Sequence, residues 1–215
     1  MNLNNNPTLI ILAGGKSSRM KIPKGLLPYK NSYWLLAQID AFKAGKIVFI
    51  GLGFDYQLYF DAIPWLKDAI TEAQTYHEKK VRVAINLTPD FGSFSTLQTV
   101  LREIEKSSFL NDILILPIDV PLLKASEVKK ISSEENKVVI PNYHQKNGHP
   151  VKLAVGFWKS LLELDSQDQN ARLDVQIKKQ ASNDTSIINV ADNNCIQNLN
   201  TLKSWEVFIS NKLSS

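Results

Sequence analysis

The chain has a single cysteine in 215 residues, Cys195, so it can form no internal disulfide and no cysteine-cluster metal site. A lone thiol of this kind reads as an ordinary buried or half-buried side chain rather than a nucleophile. No apolar run approaches the roughly 18 residues that a membrane span needs, so no membrane partner is expected. The Asn-rich opening, residues 1–7, lacks the basic and apolar regions of a signal peptide, and a cytoplasmic location is expected. There is no arginine-rich tract and no stripe of interleaved basic and aromatic residues, which argues against nucleic acid as a partner. Repeats, low-complexity tracts and linkers are missing too, so the reading is one domain over residues 1–215. The oligomeric state is not legible.

What is present is ordinary globular composition, with 44% hydrophobic and 21% charged residues. The net charge of +4 and a pI near 9.0 suit an anionic partner. Because the basic residues are scattered, a phosphate-bearing small molecule accounts for them as well as a polymer would.

The run from Thr8 to Ala13 is short, β-branched and ended by Gly14 and Gly15, which reads as a buried strand. Ser32 can cap a helix reaching about residue 43, with Leu35, Leu36, Ile39 and Phe42 on one stripe. Gly45 closes it before a second strand over 46–50. Residues 56–80 read as mainly helical, interrupted at Pro64. A third strand follows over 81–86, then a helix from Ser93 or Ser95 to about 106 and the very apolar strand 113–116. Further on come a helix over 124–132, strands over 137–140 and 151–155, helices near 157–164 and 173–179, a strand over 185–190 and a terminal helix over 201–211. This alternation predicts a three-layer, Rossmann-like α/β sandwich with a mainly parallel sheet.

In such sheets ligands bind beyond the carboxyl ends of the strands, and the unusual residues fall there. Gly14 and Gly15 let the backbone approach a ligand and aim N–H groups at it. Ser17, Ser18, Arg19 and Lys24 add hydroxyl and cationic donors suited to a polyphosphate. A solvated basic loop would look similar, but its place after the first strand favours phosphate. The tail Gly15-Lys16-Ser17 mimics a Walker A loop, yet the required first glycine would sit at Ile10, inside the strand. No G-x-G-x-x-G follows that strand, and Gly51-x-Gly53 after the second reads as a turn. Asp119, just after the strand 113–116, suits Mg²⁺ bridging nucleotide phosphates, because a hard cation prefers carboxylate oxygens. A capping or surface acid is the plainer alternative.

The stretch Leu12-Ala13-Gly14-Gly15-x-Ser17-x-Arg19-Met20, with Lys24 and Leu26-Leu27-Pro28, resembles the signature of the MobA-like NTP transferases. That family includes molybdenum-cofactor guanylyl- and cytidylyltransferases and is related to sugar-phosphate nucleotidyltransferases. One departure is Lys21, which stands where the family has glycine. The resemblance implies a nucleotide-diphospho-sugar-transferase-like fold and transfer of NMP from an NTP, GTP or CTP favoured, to a small phosphorylated acceptor with release of pyrophosphate. Molybdopterin leads as acceptor.

Under the same resemblance the stretch from Leu12 and Ala13 through Gly14 and Gly15, with Ser17, Ser18 and Arg19, holds the NTP, and Lys24 lies near the α-phosphate. Asp119, in an Asp-x-Pro-Leu motif, and Asn198, with Asn200 as second choice and Asp192 a weaker candidate, hold Mg²⁺. Gly92, Ser93 and Ser95 contact base and ribose, although Ser-capping of a helix explains them equally. His149, in Gly148-His149-Pro150-Val151, and Arg172 face the acceptor; Gln169 and Asn170 stand where relatives carry glycines. Two other functions stay open: a nucleotide-binding regulator that has lost turnover, and a sugar-phosphate nucleotidyltransferase.

Overall fold

Thr8, Leu9, Ile10 and Ile11 are all fully buried, and the strand that carries them occupies the middle of the sheet. A computed structural model describes residues 6–107, 109–168 and 170–213; residues 1–5 of the Asn-rich opening and Gln169, both read above, lie outside the described residues. The strands in chain order are β1 (Thr8–Ala13), β2 (Pro28–Tyr29), β3 (Ser32–Tyr33), β4 (Ile47–Leu52), β5 (Gln74–Tyr76) and β6 (Lys79–Ile85). They continue as β7 (Ile113–Pro117), β8 (Val138–Tyr143), β9 (Lys146–Asn147), β10 (Val151–Leu153) and β11 (Thr185–Asn189). The helices are α1 (Trp34–Ala41), α2 (Tyr56–Ala62), α3 (Trp65–Asp68), α4 (Ser93–Lys106), α5 (Ala125–Ser133), α6 (Val155–Ser160), α7 (Leu173–Lys178) and α8 (Leu202–Leu213).

The main sheet runs β11-β8-β10-β7-β1-β4-β6-β5, with β9 paired to β8. β1 pairs in parallel with both β4 and β7, so the strand order reverses at β1 and the loops after β1 and β7 diverge there. That divergence is the switch point at which open α/β sheets bind ligands. β10 is antiparallel to both its neighbours, β7 and β8, and β5 is antiparallel to β6. The sheet is therefore mixed but mostly parallel, covered by helices: an α/β fold.

Alternation along β1 sends Leu9 and Ile11 to one core and Ile10 to the other. The first core gathers α1, α5 and α8, and the second gathers α4 and α6. Each fully buried Leu or Ile here contributes about 1.5–3 kcal/mol relative to an exposed position, enough to hold both faces closed.

Three local expectations are corrected. Ser32 does not cap a helix: it pairs with Tyr29 in the β2–β3 hairpin, and the helix begins only at Trp34, whose N–H donates to Leu27 O at 2.9 Å. The end of the 56–80 stretch is not helical. Gln74–Tyr76 folds back on β6 through a turn in which His77 takes a left-handed φ of 50°, and Tyr76 stacks on Trp65 at 5.4 Å. Strand 151–155 is shorter than read, because Val155 already opens α6. No helix among the described residues is long and apolar enough to cross a membrane.

Candidate active site

The loop after β1 is shaped by close packing on one glycine and openness at the next. A side chain on Gly14 would meet Thr96 Oγ1 at 2.7 Å, whereas nothing lies within 4 Å of one on Gly15. Gly14 thus lies against the first turn of α4, and Gly15 is exposed toward solvent and ligand. Gly14 O also accepts from Phe54 N at 3.1 Å, and a Cβ on Gly53 would stand 2.6 Å from that oxygen. So Gly53, read as a mere turn, is where the loop after β4 closes on the phosphate loop.

Beyond Gly15 the chain bends through Ser17, at φ 47°, and Lys21, at φ 61°. Met20, 2% exposed, anchors the bend. Lys21 occupies the left-handed region that glycine adopts without steric cost. Lys21→Gly should therefore raise stability by about 0.5–1 kcal/mol, the relief of left-handed strain outweighing the added unfolded-state entropy. Urea denaturation measures this, and a loss of stability would show that Lys21 makes compensating contacts.

Lys24 opens a single 3₁₀ turn, Lys24–Leu26. Its backbone N–H donates to Ser17 Oγ at 3.2 Å, and the next residue, Gly25, donates to Tyr59 Oη at 3.2 Å. Tyr59 is 1% exposed, and burial raises its phenol far above the ordinary range. It stays a neutral post under the turn. The Lys24 ammonium then reaches Asp119 Oδ2 at 2.7 Å and also donates to Asn200 Oδ1. Both members of the ion pair are less than one-fifth exposed, at 15% and 18%. Residues 95 and 176 positions apart in sequence thus meet at one ammonium.

A cleft of about 1470 Å³ opens in front of this trio. Single small-molecule pockets span roughly 300–1,000 Å³, so there is room for two substrates side by side. Leu12, Gly14, Gly15, Ser17, Lys24, Gly92, Ser93, Asp119, His149 and Arg172, ten of the residues read from sequence, line it. Ala13, Ser18, Arg19, Ser95, Asn198 and Asn200 do not. Ser18, Arg19 and Asn198 are exposed, and Ala13 is buried at the end of β1. The Ser95 hydroxyl donates to Gly92 O at 2.8 Å and accepts from Asn86 Nδ2 at 2.8 Å, so it fixes the start of α4. Asp192 accepts from Lys124 N and Asn194 N and caps a 3₁₀ turn. Asn200, the second choice, is the amide that contacts Lys24. Sequence reading missed Thr96, Phe54, Asp90 and Phe91 as cleft residues. Thr96 was findable as the i+1 neighbour of Ser95, while Phe54 and Phe91 carry no motif.

At the far end, Gly148 and His149 are clamped to the segment Asn193–Ile196, with His149 N donating to Cys195 O at 2.9 Å. Burial pushes the Cys195 thiol up to about 11, and so it is inert. His149 Nδ1 is buried without a hydrogen-bond partner among the described residues. Burial pulls this imidazole below its ordinary 6.5, with the Ile115 carbonyl and the Asp119 charge acting in the opposite direction. The unfolded chain then binds the proton more readily than the folded one, so stability falls as pH drops below about 6.5 and is restored above it. His149→Gln should flatten that part of a stability–pH curve, recorded by urea denaturation from about pH 5 to 8.

No cluster of three or more His, Cys, Asp or Glu side chains that could hold a metal occurs among the described residues. Any cation would rest on a sparse protein set completed by substrate oxygens.

The family model of the MobA-like NTP transferase domain matches residues 9–181. The chain belongs to that family. Asn200, which completes the contact with Lys24, lies beyond the matched stretch. Solved structures share the fold at low identity. A homologue of the Mycobacterium tuberculosis Rv0371c protein from Mycobacterium sp. strain JC1 is 18% identical, covers 99% of each chain and superposes with a TM-score of 0.71. A nucleotidyl transferase from Methanothermobacter thermautotroptrophicus is 15% identical over 98% of this chain and 99% of its own, with a TM-score of 0.70. The molybdopterin-guanine dinucleotide biosynthesis protein A of Archaeoglobus fulgidus is 13% identical over 97% and 100%, with a TM-score of 0.67. No curated protein matches the chain significantly in sequence.

Proposed function

We propose that the protein transfers a nucleoside monophosphate from an NTP, GTP or CTP favoured, to a small phosphorylated acceptor, with molybdopterin the leading candidate. The observation that carries this is the Lys24 ammonium, held by Asp119 and Asn200 in front of the phosphate loop. Nucleotidyl transfer asks a protein mainly for positioning and for cations where charge develops. An acceptor phosphate oxygen attacks the α-phosphorus in line; the new P–O bond forms as the bond to the β-phosphate bridging oxygen breaks, and pyrophosphate leaves with that electron pair. Lys24 offsets charge at the α-phosphate, and the open backbone at Gly15 lets the triphosphate approach. Arg19, exposed beside the loop, reaches the leaving phosphates once they are bound. No side chain is needed as a nucleophile.

Asp119 and Asn200 are hard oxygen donors already converging on one positive charge, a set that fits Mg²⁺. Asp119 and Asn200, with exposed Asn198 at the rim, would hold such a cation in place of the ammonium, and it would supply neutralisation of the triphosphate. His149 and Arg172 flank the acceptor end. Arg172 stands in an exposed pair with Asp174 at 3.0 Å, which an anionic acceptor can displace.

A thermal-shift screen of the four NTPs with Mg²⁺ tests the donor half. Binding stabilises by RT ln(1 + [L]/Kd), about 2.7 kcal/mol at 100 Kd. We expect GTP or CTP to shift the wild type and not Asp119→Ala. No shift with any NTP would remove the nucleotidyltransferase reading. A shift without pyrophosphate release for any phosphorylated acceptor would select the second reading, a nucleotide-binding regulator, which the left-handed Lys21 in the phosphate loop favours.

A further inference from the structure

Asp119 sits in a loop with no helix or strand of its own, between β7 and α5. A carboxylate there can face Lys24 only if the backbone on both sides of it is fixed. Backbone bonds fix part of it: Ile118 N donates to Leu12 O and Val120 N to Pro117 O, each at 3.0 Å. Side chains of α1 hold the carbonyls of the same two residues from behind.

Three hydrogen bonds make the connection. Trp34 Nε1 donates to Ile118 O at 2.7 Å, immediately before Asp119. Gln38 Nε2 donates to Val120 O at 2.7 Å, immediately after it, and Gln38 Oε1 accepts from Leu122 N at 3.0 Å. Trp34 and Gln38 are one helical turn apart on the same face of α1. They are 4% and 2% exposed, so these bonds lie out of competition with water. Gln38 is an amide inside an otherwise apolar wall formed by Leu35, Ile39, Val120 and Leu122. A buried amide that uses both its donor and its acceptor on the two sides of one backbone turn specifies that turn's geometry. A hydrophobic residue of the same size would fill the space and leave the turn free.

We infer that Gln38, assisted by Trp34, is a positioning residue that holds the Asp119 turn so that its carboxylate faces the Lys24 ammonium. It touches no substrate. The inference rests on the transferase reading for its functional meaning, but the brace itself is a property of the folded chain. From the front, Leu199 N donates to Asp119 O at 2.8 Å, which ties the same turn to the segment carrying Asn200.

The test compares Gln38→Met, which keeps volume and loses both bonds, with Trp34→Phe, which keeps the ring and loses one. Gln98→Met is the control: Gln98 is also fully buried and donates to Leu161 O and Leu164 O at 2.7 and 2.8 Å, but it contacts nothing near Asp119. Brief acylation of lysines, read by mass spectrometry, reports how firmly Lys24 is held, with exposed Lys106 as internal reference. Lys24 should label several-fold faster in Gln38→Met, less so in Trp34→Phe, and at the wild-type rate in Gln98→Met. Should Gln38→Met fail to fold, Trp34→Phe decides alone. Wild-type labelling in the folded Gln38 variant, or equal gains in the Gln98 control, overturns the proposal. Where the wild type releases pyrophosphate, kcat of Gln38→Met should fall on the order of ten- to a hundredfold with the KM for NTP little changed. A wild type that releases none sinks the transferase reading, and the labelling result still decides the brace.

Discussion

Lys24→Ala should lower the rate of pyrophosphate release by about 10²–10³-fold while leaving the fold in place. The loss of rate follows from placement. The ammonium is the cleft cation paired with Asp119 beside the phosphate loop, and removing one preorganised charge-stabilising donor costs about 2.7–4 kcal/mol of transition-state stabilisation. The survival of the fold follows from the surroundings. Asp119 keeps its bond from Leu199 N through the backbone and retains access to water from the cleft, so its carboxylate is not stranded. With both side chains less than one-fifth exposed, the pair is worth more than the roughly 1 kcal/mol of a surface pair, and water entering from the cleft keeps the loss below the roughly 3–5 kcal/mol of a fully buried one. Steady-state kinetics and urea denaturation on the same preparation check both halves. Lys24→Arg is the informative companion: it keeps the charge and changes the shape, and a planar fork cannot sit between Asp119 and Asn200 as a point charge does. Undiminished activity in Lys24→Ala at unchanged stability would remove Lys24 from the chemistry.

Gly148→Ala should destabilise the protein by about 1–3 kcal/mol. A Cβ at this position would stand 2.2 Å from Cys195 O and 2.6 Å from its carbonyl carbon. Neither is the free end of a flexible side chain. Both belong to backbone whose oxygen is already engaged by His149 N, so the strain moves into the turn that carries His149. Gly15→Ala is the matched contrast, since nothing lies within 4 Å of its added methyl. Its stability should stay within about 0.5 kcal/mol of wild type, and NTP affinity should fall because the methyl intrudes where phosphate approaches. Wild-type stability in Gly148→Ala, measured by urea denaturation, would mean that Asn193–Ile196 yields and that Gly148 is not a lock.

Much of this was legible from the chain alone, and the reasons are physical. β1, β4 and β7 could be placed because a buried parallel strand must be apolar on both faces. Lys24 and Asp119 stood out because each follows a buried strand within a motif that resembles the family's, while a solvated loop and a capping acid were the plainer readings of position alone. The reversal at Gln74–Tyr76 was not legible: its polar residues carry no alternation, and Tyr76 is held by stacking on Trp65, eleven residues earlier, rather than by any period. The Ser32 cap failed because a hairpin and a helix start both favour a hydroxyl at that point. Within the site, the choice between Asn198 and Asn200 cannot be made from N-x-N spacing. It turns on which amide the irregular stretch between the Asn193–Ile196 turn and α8 directs toward Lys24, where Leu199, 3% exposed, packs inward between the two. Gln38 was invisible for a similar reason. A single polar residue on an apolar helix face looks like an interruption until the turn it holds is seen.

The meeting of Lys24 with Asn200 also has a meaning in time. The phosphate loop leaves the ribosome early, yet its ammonium has its amide partner only after 176 more residues have been added. At about 5–20 residues per second, that is a wait on the order of ten to thirty-five seconds. For the first 95 residues of it the ammonium lacks both oxygens that hold it, and for the remainder it lacks the Asn200 amide. The arrangement around Lys24 is therefore completed late and in one step, when the stretch carrying Asn200 reaches the ammonium.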